Sequence, residues 1–304
     1  MWSLIIMLAN ELYTSKTHKK YSDLHILKYK KKVFFDNLWN ESPELLECRG
    51  RVVNDFGETI VNPFTKIFNY RENGTVIDAD EICLAVQKIN GFMACVTYVP
   101  DYDDVLVTTT GSFDSEYVNL AKQYIPEAFI NYVKENKPQY TFIFEIVAKE
   151  DKLVHPIKEK YGAYLLGMRK IDSENHYFST GGTEVYLDLF VKRINKTIKD
   201  NKKILRPDYL FSKFDKIVEE AKVNKHIEGY VVYGTESNTV LKIKTSYYLT
   251  KKAIMRKKDI FSLDKKKVDE EYYPLLEYCK GIEGFSDLSE ESRVKVIEDY
   301  FERN

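Results

Sequence analysis

The sequence is short of net charge, paired cysteines and long apolar runs, and each shortage removes a class of protein. Lysine plus arginine (46) nearly balance aspartate plus glutamate (47), which leaves a formal net charge of −1 over 304 residues. No global basic field announces a polyanion partner, so any nucleic-acid site has to be a local patch. Cys48, Cys83, Cys95 and Cys279 form no CxxC pair and no metal-ligand spacing, and free thiols in a reducing compartment are expected. The five histidines, His18, His25, His155, His176 and His226, are scattered without a cluster. The apolar stretch at residues 2–9 is too short to span a membrane and lacks the basic residues that open a signal peptide. With Leu12 and Tyr13 it reads as an amphipathic helix packed on the body. Nothing else approaches a membrane span, and a soluble protein is expected.

What is present is an ordinary globular composition, 44% hydrophobic and 31% charged, enough for a large core. Residues 1–46 read as a helical, lysine-rich segment carrying Lys28, Lys30, Lys31 and Lys32. From Glu47 the texture changes to short β-rich runs at residues 48–53, 82–86, 92–99 and 105–110, separated by turn signals such as Asn73-Gly74. A helix is expected over 115–136, strands over 140–148 and 163–168, and a helix over 207–223. Two more strands follow at 227–233 and 240–244. After Tyr248 the pattern is helical and charged. The fold class expected is α+β: an antiparallel body over residues 1–248 with a small helical C-terminal appendage over 249–304.

Several polar residues stand out against this background. Lys88-Ile89-Asn90-Gly91 lies between two apolar strands, where a lysine at a strand end before a glycine turn can point its amine into a pocket. Glu145 sits within an apolar strand. Glu228-Gly229 immediately precedes a continuous β run. In Lys242-Ile243-Lys244 the period of 2 puts both lysines on one face and Leu241 with Ile243 on the other. A solvated face is the ordinary explanation for such lysines. Turned inward they would be costly without an anion to meet.

The order of these elements resembles the nucleotidyltransferase superfamily of polynucleotide ligases and capping enzymes, and within it the bacteriophage RNA ligase 1 family. The likeness adds Glu47-Cys48-Arg49-Gly50, Lys66-Ile67-Phe68-Asn69, Thr110-Gly111-Ser112, the Phe144-Glu145 run and Ala163 to Arg169, and it extends from about Glu47 to Tyr248. It departs from the family at Asn90, where Asp is usual, at Thr110, where Lys is usual, and in a short tail instead of a long helical C-terminal domain.

The resemblance implies an ATP-grasp-like ligase domain that joins 5′-phosphate and 3′-hydroxyl RNA ends, in RNA repair and specifically in repair of cleaved tRNA. Lys88 would be the nucleophile, with Glu145, Glu228, Lys242 and Lys244 as its catalytic companions. ATP would be bound by Arg49, Lys66, Phe68, Lys88, Gly91, Glu145, Val231, Lys242 and Lys244. Mg²⁺ or Mn²⁺ would be held by Glu228, Glu145 and Asn90. The partner implied is RNA, with neither a membrane nor an obligate protein partner, in the cytoplasm, or in a host's cytoplasm if the source is viral. A DNA ligase, a capping guanylyltransferase and a catalytically degenerate RNA-binding module are the alternatives. The first two normally carry a strand-rich domain after the last motif, which residues 249–304 do not resemble.

Overall fold

The computed structural model describes residues 12–40, 43–151, 156–199, 202–256 and 273–303. Three sheets organise it. The first is a meander of β1 (Tyr13–Thr17), β2 (His25–Tyr29), β3 (Arg49–Val53) and β4 (Thr59–Val61), antiparallel throughout. The second has the order β10-β9-β7-β8, from β7 (Phe92–Val99), β8 (Asp104–Thr109), β9 (Tyr140–Val147) and β10 (Gly162–Lys170). The third has the order β11-β6-β12-β13-β5, from β5 (Phe68–Asn69), β6 (Ile82–Gln87), β11 (Tyr209–Lys213), β12 (Gly229–Gly234) and β13 (Val240–Lys244). Among the named strands of the described residues, the short β5–β13 pairing alone is parallel.

The helices are α1 (Lys31–Phe35), α2 (Glu116–Tyr124), α3 (Glu127–Asn136), α4 (Gly181–Thr197), α5 (Phe214–Val223), α6 (Ser246–Arg256), α7 (Tyr273–Lys280) and α8 (Glu290–Arg303). Alternation along the strands decides what each sheet face meets. On β9, Phe142, Phe144 and Ile146 pack with the helices, among them Phe129 of α3, Leu187 and Val191 of α4 and Val118 of α2. The Phe129 ring meets Phe142 and Phe144 edge-on at 5.1 and 5.3 Å between centroids, a favoured arrangement of aromatic quadrupoles. Ile143 points the other way, into a cluster shared with Ile26 and Val52 of the first sheet. Glu145 lies on that same inward face, two residues further along.

The third sheet repeats this logic. Leu241, Ile243, Tyr230 and Val232 pack with Phe214, Ile217 and Ala221 of α5. Lys242 and Lys244 therefore stand on the opposite face.

Three expectations need correction. Residues 13–29 are a hairpin and not part of a helical segment, because β1 and β2 pair in register from Tyr13↔Tyr29 to Thr17↔His25, while the expected helix survives only in α1 and two short 3-10 turns at Leu38–Asn40 and Pro43–Leu46. Their lysines suit an exposed sheet edge as well as a helix surface; Lys16 and Lys19 reach Asp114 at 2.8 and 2.6 Å. The amphipathic helix expected at residues 2–9 lies outside the described residues. The single helix over 115–136 is two helices, because Pro126 leaves Ile125 extended and begins α3. Residues 207–223 begin as β11, paired Tyr209↔Val86 to Lys213↔Ile82, before α5 starts. Helix α4, capped by the Thr180 hydroxyl accepting from the Thr183 N–H at 3.2 Å, was not anticipated.

The boundary expected at residue 248 falls inside α6. Tyr247 and Tyr248 pack with Leu275, Leu276 and Cys279 of α7 and Ile297 of α8. Among the described residues, none beyond Lys244 is in a strand. No described helix is long and apolar enough to cross a membrane.

Candidate active site

The second and third sheets face each other across a cavity of about 330 Å³. Arg49 from β3, residues of the β6–β7 connection, Glu145 from β9, Leu166 from β10, Val231 and Tyr233 from β12 and Lys242 from β13 all line it.

Lys88 is held in the connection by the third sheet itself. Its N–H donates to the Gly229 carbonyl at 2.8 Å, continuing the β6–β12 pairing by one bond. Two glycines permit the close approach. A Cβ on Gly91 would lie 2.2 Å from the Ile146 carbonyl oxygen. A Cβ on Gly229, whose φ is +151°, would lie 2.0 Å from the Ile243 carbonyl oxygen. Gly91 also donates its N–H to Glu145 Oε1 at 3.2 Å, so the turn after Lys88 is tied to the opposite sheet.

The Lys88 amine lies 3.0 Å from Glu228 Oε1, and the Lys244 amine lies 3.3 Å from the same oxygen. Burial pushes the Glu228 carboxyl up, but the two lysines outweigh it and the net shift is downward. Glu145 lacks so close a cation. Burial raises it, Lys88 only partly offsets this, and Glu228 adds to it, so Glu145 is pushed up to about 7.

The cations on the other wall are crowded. Burial, then the charges of Arg49, Lys66, Lys244 and Lys88, pushes the Lys242 amine down to about 6. An ammonium so desolvated and so surrounded by like charge is waiting for an anion. Lys66 is lowered by burial too, although Glu72 at 3.0 Å opposes the shift.

The expected residues converge with two exceptions, Phe68 and Lys66. Arg49, Lys88, Gly91, Glu145, Val231 and Lys242 share one cavity. Glu228 and Lys244 join through the ion pair with Lys88. Phe68 is set apart: it packs edge-on against Trp39 at 5.6 Å, lies under the Lys66 amine at 4.7 Å, and lines a neighbouring cavity of about 200 Å³ with Lys66. Asn90 is buried in the turn that follows Lys88.

Sequence reading missed the support around the site. Glu184 of α4 lines the cavity although only 1% exposed, and it pairs with Arg206 and Ser179. Its helix has a capping threonine, Thr180, as the one local signal. Arg169 of β10 bonds Glu47 at 2.9 Å and the Pro63 carbonyl at 2.6 Å, which locks the start of β3, and so Arg49, to the second sheet. Thr110 lines the cavity without charge, but the Lys28 side chain crosses to Gly111, where an added Cβ would stand 3.3 Å from its amine.

A test of metal fit rests on the donors. Among the described residues no group of three His, Cys, Asp or Glu could cage an ion. The site offers carboxylate and amide oxygens alone, which suits a hard divalent cation that keeps waters and shares a nucleotide's phosphates.

No curated protein matches the chain in sequence. In structure it is similar to an archaeal ATP-dependent RNA ligase, with a TM-score of 0.56 at 11% identity over 98% of this chain and 75% of that one. It is equally similar, at 0.56, to a putative ATP-dependent DNA ligase from Aquifex aeolicus, with 16% identity over 99% of this chain and 79% of that one. These likenesses establish the shared fold, an antiparallel-sheet ligase domain with helices. A family model described as RNA ligase matches residues 47–273, from the Arg49 strand through every cavity residue to the C-terminal helices, and the chain therefore belongs to the RNA ligase family.

Proposed function

We propose that this RNA ligase is ATP-dependent and works through a covalent AMP on Lys88. The observation that carries the reading is one amine, Lys88, 3.0 Å from Glu228 at a cavity lined by Arg49 and Lys242, where burial and like charge push the Lys242 amine down to about 6. The phosphates of a triphosphate would be the anion that favours the charged form of that amine.

In the first step the Lys88 nitrogen bonds to the α-phosphorus of ATP. The bond from that phosphorus to the β-phosphate oxygen breaks, pyrophosphate leaves, and the amine's protons pass to solvent. Lys242, Lys244 and Arg49 neutralise charge on the phosphates as it shifts. Glu145, bound to the Gly91 N–H, holds the turn and accepts from the ribose. Leu166 and Val231 flank the base. In the second step an oxygen of an RNA 5′-phosphate takes the AMP from Lys88, whose nitrogen regains its proton. In the third a 3′-hydroxyl attacks that 5′-phosphate, the new phosphodiester forms and AMP leaves.

Glu228 is the residue that would hold a divalent cation, with Glu145 and the Asn90 amide nearby, and such an ion would supply positive charge at the phosphates. Whether Mg²⁺ or Mn²⁺ serves is left to titration.

The fold is shared with a putative DNA ligase, so the choice of RNA rests on the family match. The C-terminal helices, beginning with α6, form a small cluster of their own, and we assign them to substrate contact. Repair of broken RNA, including cleaved tRNA, in the cytoplasm is the setting we infer.

The test is incubation with ATP labelled at the α-phosphate, with labelled GTP beside it. A covalent AMP adduct is expected and a GMP adduct is not. Preference for GTP would turn the reading toward capping, and no adduct would sink it. Sealing of single-stranded RNA, nicked duplex and cleaved tRNA then ranks the substrates.

A further inference from the structure

RNA has to meet this chain at a local patch, because a formal net charge of −1 offers no general attraction. One such patch lies outside the active-site cavity. A second cavity, of about 360 Å³, lies at the start of β10, with Gly162 in its lining. Lys160, Lys202 and Lys203 line it too, and among the described residues Glu150 is the one carboxylate that does. That carboxylate is engaged: it accepts from the Tyr124 hydroxyl at 2.7 Å, which itself accepts from the Lys149 N–H at 2.9 Å.

Carbonyls hold two of the amines in place, Lys202 on Gln123 O at 3.0 Å and Lys203 on Asn195 O at 3.1 Å. A carbonyl orients an ammonium without cancelling its charge. Lys203 has a structural explanation, because Asn195 lies in the last turn of α4, where a cation suits the helix carbonyls. Tyr161 has no such explanation. It is 57% exposed, yet it lines the cavity next to Lys160. Rings beside ammonium groups are the means by which proteins take a single nucleic-acid strand: a base stacks on the ring and a phosphate meets the cation.

The cavity is also tied to the nucleophile turn. Leu205 lines it and packs against the cluster of Ile89, Val147 and Tyr164. Leu166 packs against the same cluster and lines the active-site cavity. Leu205 is fixed to β10 by its N–H donating to Ala163 O at 2.9 Å and its carbonyl accepting from the Leu165 N–H at 3.0 Å. The two cavities therefore flank one apolar cluster, and that cluster contains the residue after Lys88.

We propose that the second cavity binds an unpaired nucleotide of the RNA to be sealed, its base on Tyr161 and its phosphate on Lys160 and Lys202. A duplex keeps its bases stacked inside, so the site makes a single strand or a loop the preferred substrate over a nicked duplex. The proposal rests on RNA being the substrate and is independent of the covalent AMP on Lys88.

Full-length wild type, Tyr161→Ala, Tyr161→Phe and Lys160→Ala are compared. Binding of a fluorescent, 5′-phosphorylated single-stranded RNA is followed by anisotropy across salt concentrations without ATP. Sealing of pre-adenylylated RNA is measured on single-stranded and nicked-duplex substrates, and adduct formation from labelled ATP serves as control. Tyr161→Ala is expected to weaken single-strand binding about 10-fold, the scale for losing one stacked base. Tyr161→Phe, which keeps the ring, should stay within about twofold of wild type. Lys160→Ala should reduce the salt slope by about 0.7 to 1. In Tyr161→Ala, sealing of the single strand at subsaturating RNA should fall in step with binding, while nicked-duplex sealing and adduct formation stay within about threefold of wild type.

Binding unchanged in Tyr161→Ala overturns the proposal. So does an equal loss in Tyr161→Phe, which excludes stacking, and so does a salt slope unchanged in Lys160→Ala, which leaves the phosphate without its cation. An equal loss on the nicked duplex overturns the preference for an unpaired nucleotide, and a loss of adduct formation marks a structural role instead. A wild type that binds single-stranded RNA but forms no adduct sinks the lysyl-AMP reading and leaves this proposal to the binding comparison. A wild type that forms the adduct but binds no single-stranded RNA sinks this proposal alone.

Discussion

The two walls of the cavity treat the same side chain in opposite ways. On the β9 wall Glu145 faces burial that Lys88 and Arg49 only partly offset, and it is pushed up to about 7. On the β12–β13 wall Glu228 is more deeply buried, only 2% exposed, yet Lys88 and Lys244 at 3.0 and 3.3 Å pull it below its ordinary value. Burial alone therefore does not set a carboxyl's charge; the cations it meets do. One wall pairs its carboxylate with two amines. The other carries a carboxyl without so close a cation.

The sharpest break in this contrast is loss of the Lys88 amine, which pairs with Glu228 and acts on the charge of Glu145. Lys88→Ala should give no covalent AMP adduct on a denaturing gel while circular dichroism stays native. A persisting adduct would place the nucleophile elsewhere.

Next come the groups of the charged wall. Glu228→Ala and Lys242→Ala should each lower ligation about 100-fold or more, the scale for removing a preorganised charge from a reacting phosphate. Their stabilities should diverge. Glu228→Ala leaves two lysines without their shared partner and should lower the melting temperature, though the protein should still fold. Lys242→Ala removes a desolvated amine crowded by like charge and should leave it equal or higher. Unfolding of either variant at room temperature would mark a structural role.

The Glu145 wall makes a smaller prediction, read in pH. Its folded value of about 7 lies above the ordinary 4.5. The folded state therefore holds this proton more tightly than the unfolded chain between those values. The stability it contributes is present below about pH 4.5 and is lost as pH rises to about 7. Glu145→Gln should flatten the fall in stability across that window and be the more stable form at pH 8. Parallel pH curves for the two proteins would remove the contrast between the walls.

Smaller still is the effect at Asn90. Asn90→Asp should stay active and shift the divalent-metal midpoint of adenylylation a fewfold lower, with Glu228 still in place. Superimposable titrations would leave Asn90 as a residue that only shapes the turn before Gly91.

The smallest effect is expected at Lys28, which lies over Gly111 at the edge of the cavity. Lys28→Ala should weaken RNA binding and reduce its salt slope by about 1, with adduct formation unaffected. An unchanged slope would return Lys28 to the solvated surface.

The sequence by itself determined the local elements whose pattern is their own cause. The period of 2 in Leu241-Lys242-Ile243-Lys244 put two lysines opposite a buried face, and the structure buries Leu241 and Ile243 against α5. The glycine after Asn90 announced a turn behind Lys88, and its lack of a Cβ is what lets Ile146 approach. The strands at β6, β7, β9, β12 and β13 were legible for the same reason. Tertiary structure decided what pattern leaves degenerate. Residues 12–46 carry lysines that an exposed edge strand and a helix surface tolerate equally, and only pairing with β3 makes β1 and β2 strands. Glu184 and Arg206 have no local motif, and they come together at the cavity only through the folded chain. The opposite states of Glu145 and Glu228 were also beyond sequence, because a charge is set by neighbours brought from other strands and not by the residue that bears it.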